Sequence, residues 1–255
     1  MSSRRSTDRP GNARLLIVQT GSTFPQLRAR RGDFADWFRV GMGLDRSQVE
    51  VVRADAGHVL PRTAGDHAGV IVTGSPSMVS ERLAWSENTA AWLRSMVDQD
   101  VPILGVCYGH QLLAHALGGR VDFHPGGREI GTVRIERLAA AGEDALLGSS
   151  PDVFKAHASH QQSVLELPSD AVVLARSSHD PHHAVRYAPN VWGLQFHPEF
   201  SAGIMRDYLQ RRRQAMNGDC PADCCAHRVG APAPTARRLL RRFRDITRRA
   251  SARSA

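Results

Sequence analysis

The chain is predicted to be an α/β protein of three layers, a mixed and mostly parallel sheet flanked by helices. Three observations carry this. Short, largely apolar runs alternate with helix-periodic segments through the first 120 residues, as buried parallel strands and their crossovers do. The second half is richer in strand patterns, which makes the sheet mixed. With 255 residues, 42% hydrophobic and 23% charged, the chain is long enough to bury a large core.

In order, residues 1–13 are polar and read as a flexible leader. Leu15 to Val18 is the first strand. Phe34, Trp37, Phe38 and Val40 set a helical period that should end near Gly41 and Gly43. Val49 to Val52 and Gly69 to Val72 are the second and third strands. Helix periodicity returns from Ala84 to Val97, with Trp85, Ala91, Trp92, Leu93 and Met96 on its apolar face. Val101 to Val106 is a fourth strand that runs straight into Cys107. A helix through Leu112, Leu113 and Leu117 follows, stopped by Gly118-Gly119. Strands are expected at Thr132–Leu138, Val153–Ala156, Ala171–Ala175, His183–Tyr187 and Val191–Phe196, and a last body helix from about Ser201 to Met216.

The formal charge is +8, yet its location argues against a nucleic-acid-binding body. Residues 206–255 carry 13 Arg and 4 Asp, which leaves the other 205 residues near neutrality. After a linker rich in Pro and Gly, Leu239, Leu240, Phe243 and Ile246 line one side of an Arg-rich amphipathic helix within the 217–255 tail. That tail could dock on the body, a partner protein or a polyanion. No apolar run spans a bilayer. Ser3-Arg4-Arg5 lacks the apolar stretch of an export signal, and four cysteines in a chain of this size make no disulfide framework, so a reducing cytoplasm is the expected address.

The strongest chemical signal is Gly105-Val106-Cys107-Tyr108-Gly109-His110-Gln111 at a strand-to-helix junction. A nucleophile there sits on a tight turn with its side chain thrust out and free amides beside it. The helix N-terminus favours thiolate over thiol. Phe196-His197-Pro198-Glu199 supplies the other parts: in extended backbone His197 and Glu199 share a face, giving a base for the thiol and a carboxylate to orient that base. His110 beside the elbow reads as packing.

These two segments together closely resemble the class I, or triad, glutamine amidotransferases, and the chain looks most like stand-alone domains of the GMP-synthase-like group. The resemblance covers about residues 14–210 of a domain expected at 14–216, and implies a flavodoxin-like sheet with Cys107 as nucleophile, His197 as base and Glu199 as orienting acid. It further implies that L-glutamine, or a related γ-glutamyl compound, gives a thioester and ammonia without any cofactor. Thr73-Gly74-Ser75-Pro76-Ser77 stands where the family usually shows Gly-Gly-Pro, which implies an oxyanion hole from the amides of Ser75 and Tyr108 beside Gly74. Ser75 replaces the usual glycine, a departure that puts the backbone conformation in question. By the same resemblance Gln111 contacts the substrate's α-substituents, and the backbone of Ser159-His160-Gln161-Gln162-Ser163-Val164 lines the glutamine pocket, which makes Gly74, His160, Gln161 and Gln162 expected substrate contacts.

The chain shows no phosphate-binding loop and no ATP-binding loop of a GMP synthase, so its ammonia would go to a separate synthetase or be released. A γ-glutamyl peptide hydrolase would use the same triad, and a regulatory module acting through the tail is the reading from another class. Cys220, Cys224, Cys225 and His227 read as an exposed cluster, because adjacent cysteines rarely ligate one ion. His179-Asp180-Pro181-His182-His183 reads as a loop leading into the next strand. No metal site is expected.

Overall fold

The computed structural model describes residues 14–63, 65, 67–215 and 231–253. The expected leader, the 217–230 linker and the cluster Cys220, Cys224, Cys225 and His227 lie outside the described residues.

In the first half the order is β1 (Arg14–Gln19), α1 (Pro25–Arg31), α2 (Phe34–Met42), β2 (Val49–Arg53), β3 (His67–Val72), α3 (Ala84–Asp98), β4 (Ile103–Val106) and α4 (Tyr108–Ala116). Then come β5 (Arg120–Phe123), β6 (Glu129–Arg137), β7 (Val153–His160), β8 (Gln162–Glu166), β9 (Val172–Arg176), β10 (Ala184–Ala188) and β11 (Val191–Leu194). Two helices close the described chain, α5 (Ala202–Ala215) and α6 (Pro234–Arg253). The main sheet has nine strands in the order β2-β1-β3-β4-β11-β10-β9-β6-β7, and β5 pairs β8 as a separate ribbon. Strands β2, β1, β3, β4 and β11 are mutually parallel; from β11 to β7 every pairing is antiparallel. Seven of the nine strands therefore point one way.

The strand alternation sends side chains into two separate cores. Leu15, Ile17, Ile71, Leu104 and Val106 pack with α2 and α6, while Leu16, Val18, Val70, Val72 and Ile103 pack with α3 and α4. The α6 helix is thus a structural layer of the body. Leu239, Leu240 and Phe243 are each 0% exposed, and burying each such side chain is worth about 1.5–3 kcal/mol. Gly41, expected to end α2, lies inside it and lets Leu240 approach: a Cβ there would stand 2.4 Å from Leu240 Cδ1. The stop is Gly43, in the left-handed conformation at φ 67°. Arg244 reaches the Met42 carbonyl and Arg242 the Leu146 and Ser149 carbonyls, so several of the tail's arginines bind the body directly. Arg238, Arg241, Arg248, Arg249 and Arg253 remain outward.

Several sequence expectations need correction. Val40 is 55% exposed, off the buried face of α2. In α3 Ala91 is exposed, and Ser86, Thr89, Ala90, Leu93 and Met96 form the buried face instead. Helix α1 escaped the periodicity argument because only Leu27 is buried on it, although Pro25 at its start is an ordinary helix-initiating signal. Strand β6 begins three residues earlier than expected, at Glu129, and β7 continues to His160. No helix among the described residues is long and apolar enough to cross a membrane.

Candidate active site

The C-terminal ends of β3 and β4 place the centre of the site. Strand β4 enters Cys107, which caps α4 at φ 52° and ψ −105°, a conformation that L-residues reach only under strain. The flanking glycines are obligatory here. A Cβ at Gly105 would stand 2.4 Å from the Gly109 carbonyl oxygen, and one at Gly109 would stand 2.3 Å from the Val72 carbonyl oxygen. The Cys107 amide donates to Leu194 O at 2.7 Å, which pins the turn to β11.

From the other side, the segment after β11 brings His197 to the thiol. Its backbone N–H donates to His157 O on β7 at 2.7 Å, and its ring lies 4.1 Å from the Phe200 ring at 19°. His197 Nδ1 donates to Glu199 Oε1 at 2.7 Å, leaving Nε2 for Cys107. Glu199 is fully buried and its second oxygen has no partner among the described residues, so its interaction is directed at the imidazole. Burial pushes the Cys107 thiol up, but the charge and hydrogen bond of His197, helped by His160, bring it below the ordinary thiol range. Burial likewise pulls His197 down, while Glu199 and Cys107 together raise it to about 10. The two shifts act together: each group favours the charged form of the other, thiolate beside imidazolium.

Gly74 and Ser75 follow β3 and close over this pair; a Cβ at Gly74 would meet His197 Cε1 at 3.2 Å. Thr20 Oγ1 donates to the Gly74 carbonyl at 3.1 Å, and the trans peptide turns the Ser75 N–H to the opposite side. The serine is not strained. Among the described residues, the non-glycine positions with positive φ are Arg82, Asp100 and Cys107. Tyr108, as the first residue of α4, has no intrahelical acceptor for its amide. Its ring points away, bonded to Ser86 Oγ at 2.6 Å.

A cavity of about 270 Å³ opens on the thiol, with Ser22, Ser75, Ser159 and His197 near it and Phe24, Pro25, Phe34 and Tyr208 forming an apolar wall. Ser159 is the member of its segment that lines the cavity, and its carbonyl lies 3.9 Å from Cys107 Sγ. The side chains of the other expected contacts turn elsewhere. Gln111 Nε2 donates to Gln162 O at 2.7 Å and to Gln195 Oε1 at 2.9 Å. Gln161 accepts from Arg128, and Gln162 Oε1 accepts from the Val79 amide at 3.0 Å. His160 bonds Glu129 Oε2 at 3.0 Å. His110 is buried against Tyr187 at 3.0 Å, and burial holds it at about 3, which keeps it neutral and in a packing role.

Sequence reasoning missed Phe24, Tyr208 and Glu129. Phe24 stands directly before Pro25, the helix signal noted above, but Glu129 is linked to the site only through the register of β6 on β7. Glu129, His160 and His183 place three potential metal-ligand atoms within 4.8 Å of one another. Both imidazoles already bond the same Glu129 oxygen, at 3.0 and 2.7 Å, so hydrogen bonds account for the cluster.

Known proteins resemble this chain in sequence and in fold. The family profile "Glutamine amidotransferase class-I" matches residues 40–214. A glutamine-hydrolysing GMP synthase of Aeropyrum pernix is 35% identical over 196 residues, which are 76% of this chain and 34% of that protein. One subunit of the glutamine-hydrolysing GMP synthase of Methanopyrus kandleri is 38% identical over 133 residues, 52% of this chain and 66% of its own length. The chain thus spans about a third of the first relative and less than two thirds of the second. Among solved structures, a glutamine amidotransferase from Methylobacillus flagellatus superposes with a TM-score of 0.68 at 27% identity, covering 94% of this chain and 92% of that one. Another from Thermotoga maritima shares the fold, with a TM-score of 0.72 at 18% identity over 92% and 98% of the two chains.

Proposed function

The chain belongs to the class I glutamine amidotransferase family, and from that premise we propose that it hydrolyses the γ-amide of glutamine through a Cys107 thioester. The observation that carries the reading is the strained Cys107 turn facing a His197 already bonded to Glu199 at 2.7 Å. The Cys107 thiolate attacks the γ-carbonyl carbon. The carbonyl electron pair moves to oxygen, and the amides of Ser75 and Tyr108 stabilise the oxyanion. Collapse breaks the C–N bond while imidazolium His197 donates its Nε2 proton, so ammonia leaves and the γ-glutamyl thioester remains. Neutral His197 then takes a proton from water as the water attacks the thioester, and glutamate departs with the thiolate restored. Glu199 fixes the tautomer of His197 when the ring is neutral and stabilises its charge when the ring is protonated.

By analogy with the Methanopyrus relative, which is itself one subunit of a GMP synthase, the ammonia goes to a separate synthetase. The test is ammonia release by the purified chain given glutamine, with Cys107→Ala as control. Turnover is expected in the native chain and only background in the variant; a variant that keeps its glutaminase activity overturns the proposal.

One observation favours a second substrate class, γ-glutamyl peptides. The wall of Phe24, Pro25, Phe34 and Tyr208 offers apolar surface to a leaving amine larger than ammonia. Following the amino acid freed from a γ-glutamyl dipeptide, beside ammonia from glutamine, separates the two: a higher kcat/KM for the dipeptide identifies a γ-glutamyl hydrolase.

A further inference from the structure

Behind the candidate site lies a second buried ionic assembly that the proposed mechanism leaves unused. Register places Glu129, at the start of β6, directly opposite His160, at the end of β7. Both are buried, with 5% and 4% of their surface exposed. His160 Nε2 faces Glu129 Oε2 at 3.0 Å, and its Nδ1 faces the Gln162 carbonyl at 3.0 Å. A carbonyl oxygen and a carboxylate oxygen only accept, so each ring nitrogen must carry a proton. The third neighbour agrees. Ser163 Oγ commits its own proton to Asp180 Oδ2 at 2.6 Å and can only accept from His160 Nδ1, 3.4 Å away.

The groups facing His160 are Glu129 on β6, Asp180, His183 and His179 from the loop before β10, and Cys107 at the head of α4. The two carboxylates among them compensate a buried cation. Glu129 is held well below the usual carboxylate range: burial raises it, and the bonds from His160 and His183 outweigh that. Burial lowers His160, but Glu129, Asp180 and Cys107 more than compensate and its net shift is upward.

The assembly touches the site at three points. Ser159, next to His160, presents its carbonyl to Cys107 Sγ at 3.9 Å. The Gln162 carbonyl, which His160 holds, also receives Gln111 from α4 at 2.7 Å. The Gln162 side chain carries the Val79 amide at 3.0 Å and Ser80 Oγ at 2.5 Å, just beyond the Gly74-Ser75 loop. We infer that His160 is a permanently charged positioning residue: an imidazolium locked between Glu129 and the Gln162 carbonyl, fixing the 159–163 turn against the pocket and favouring the Cys107 thiolate. This rests on Cys107 being the nucleophile, but the protonation state of His160 does not.

The experiment has two readouts on the full chain. With ¹⁵N-labelled histidine, both ring nitrogens of His160, assigned by their loss in His160→Gln, should stay protonated from pH 6 to pH 9; one bare nitrogen at pH 7 overturns the inference. The second readout is iodoacetamide alkylation of Cys107 against pH. Glu129→Gln combined with His160→Gln keeps an amide-to-amide hydrogen bond but removes both charges. The alkylation midpoint should rise by about one pH unit, a roughly tenfold slower reaction at a fixed pH below it. A double variant with native thermal melting and an unmoved midpoint shows that the pair is only scaffold, which also overturns the inference. If Cys107 of the native chain is no more reactive than a free thiol, the nucleophile reading fails while the nitrogen spectra still judge His160.

Discussion

His197 and His160 each bond a buried glutamate, yet their second nitrogens meet opposite kinds of partner. His197 gives Nδ1–H to Glu199 at 2.7 Å and turns Nε2 to a thiol, a group able to give up its proton. His160 gives Nε2–H to Glu129 at 3.0 Å and Nδ1–H to a carbonyl that never can. On the reading proposed above, the same pair of side chains makes a proton shuttle in one place and a fixed cation in the other. What differs is the group on the far nitrogen, together with access: His197 lines the cavity, whereas His160 does not.

The largest break in this contrast should come at Glu199. Glu199→Gln leaves the geometry but puts the wrong hydrogen-bonding group on Nδ1, and kcat for glutamine should fall by about 10⁴-fold. Steady-state ammonia release measures it, and a loss below tenfold would mean that His197 needs no orienting acid. Histidine replacement sharpens the contrast next. His197→Gln should abolish turnover, while His160→Gln should retain a measurable rate, lower by about tenfold for each unit gained by the thiol.

The pH dependence comes third. Cys107 lies below its ordinary range and His197 is raised to about 10, so the window in which both are charged opens below the ordinary thiol range and closes near pH 10. A raised histidine contributes stability that is full below its unfolded value and lost as pH rises through its folded one. Alkaline destabilisation near pH 10 should therefore weaken in a His197→Gln chain, as read from melting temperature against pH. On the acid side the alkylation rate falls as pH drops through the lowered thiol value. The smallest effect belongs to Arg237 of α6, whose guanidinium donates to the Glu199 carbonyl at 3.4 Å. At that length Arg237→Met should cost about two- to fivefold in kcat, with KM unchanged.

The nucleophile turn and its partner segment are legible in the sequence because each packs its chemistry into a few consecutive residues. Cys107 needs Gly105 and Gly109 beside it, and His197 reaches Glu199 two positions on. The unbroken apolar run from Leu15 to Val18 similarly identifies a strand buried on both faces. What stays hidden depends on contacts distant in sequence. Glu129 meets His160 across 31 residues by strand register, and Tyr208 reaches the pocket from α5. The aromatic wall is assembled from the β1–α1 loop, α2 and α5, none of which carries a local motif. The tail shows the same limit: its apolar stripe is readable, but its docking surface on α2 and β7 is not.

That docking has a consequence for how the chain acquires its shape. Strand β1 and helix α2 are made early, but the core they share with α6 is completed by Leu239, Leu240 and Phe243, synthesised some two hundred positions later. Until those residues leave the ribosome, Phe38 and Met42 have no cover on that side. Pairings so remote along the chain also form slowly. The nascent protein therefore passes through a stage in which the elements from β1 to α5 are already made and the face awaiting α6 is still sticky, a stage at which a chaperone has most to offer.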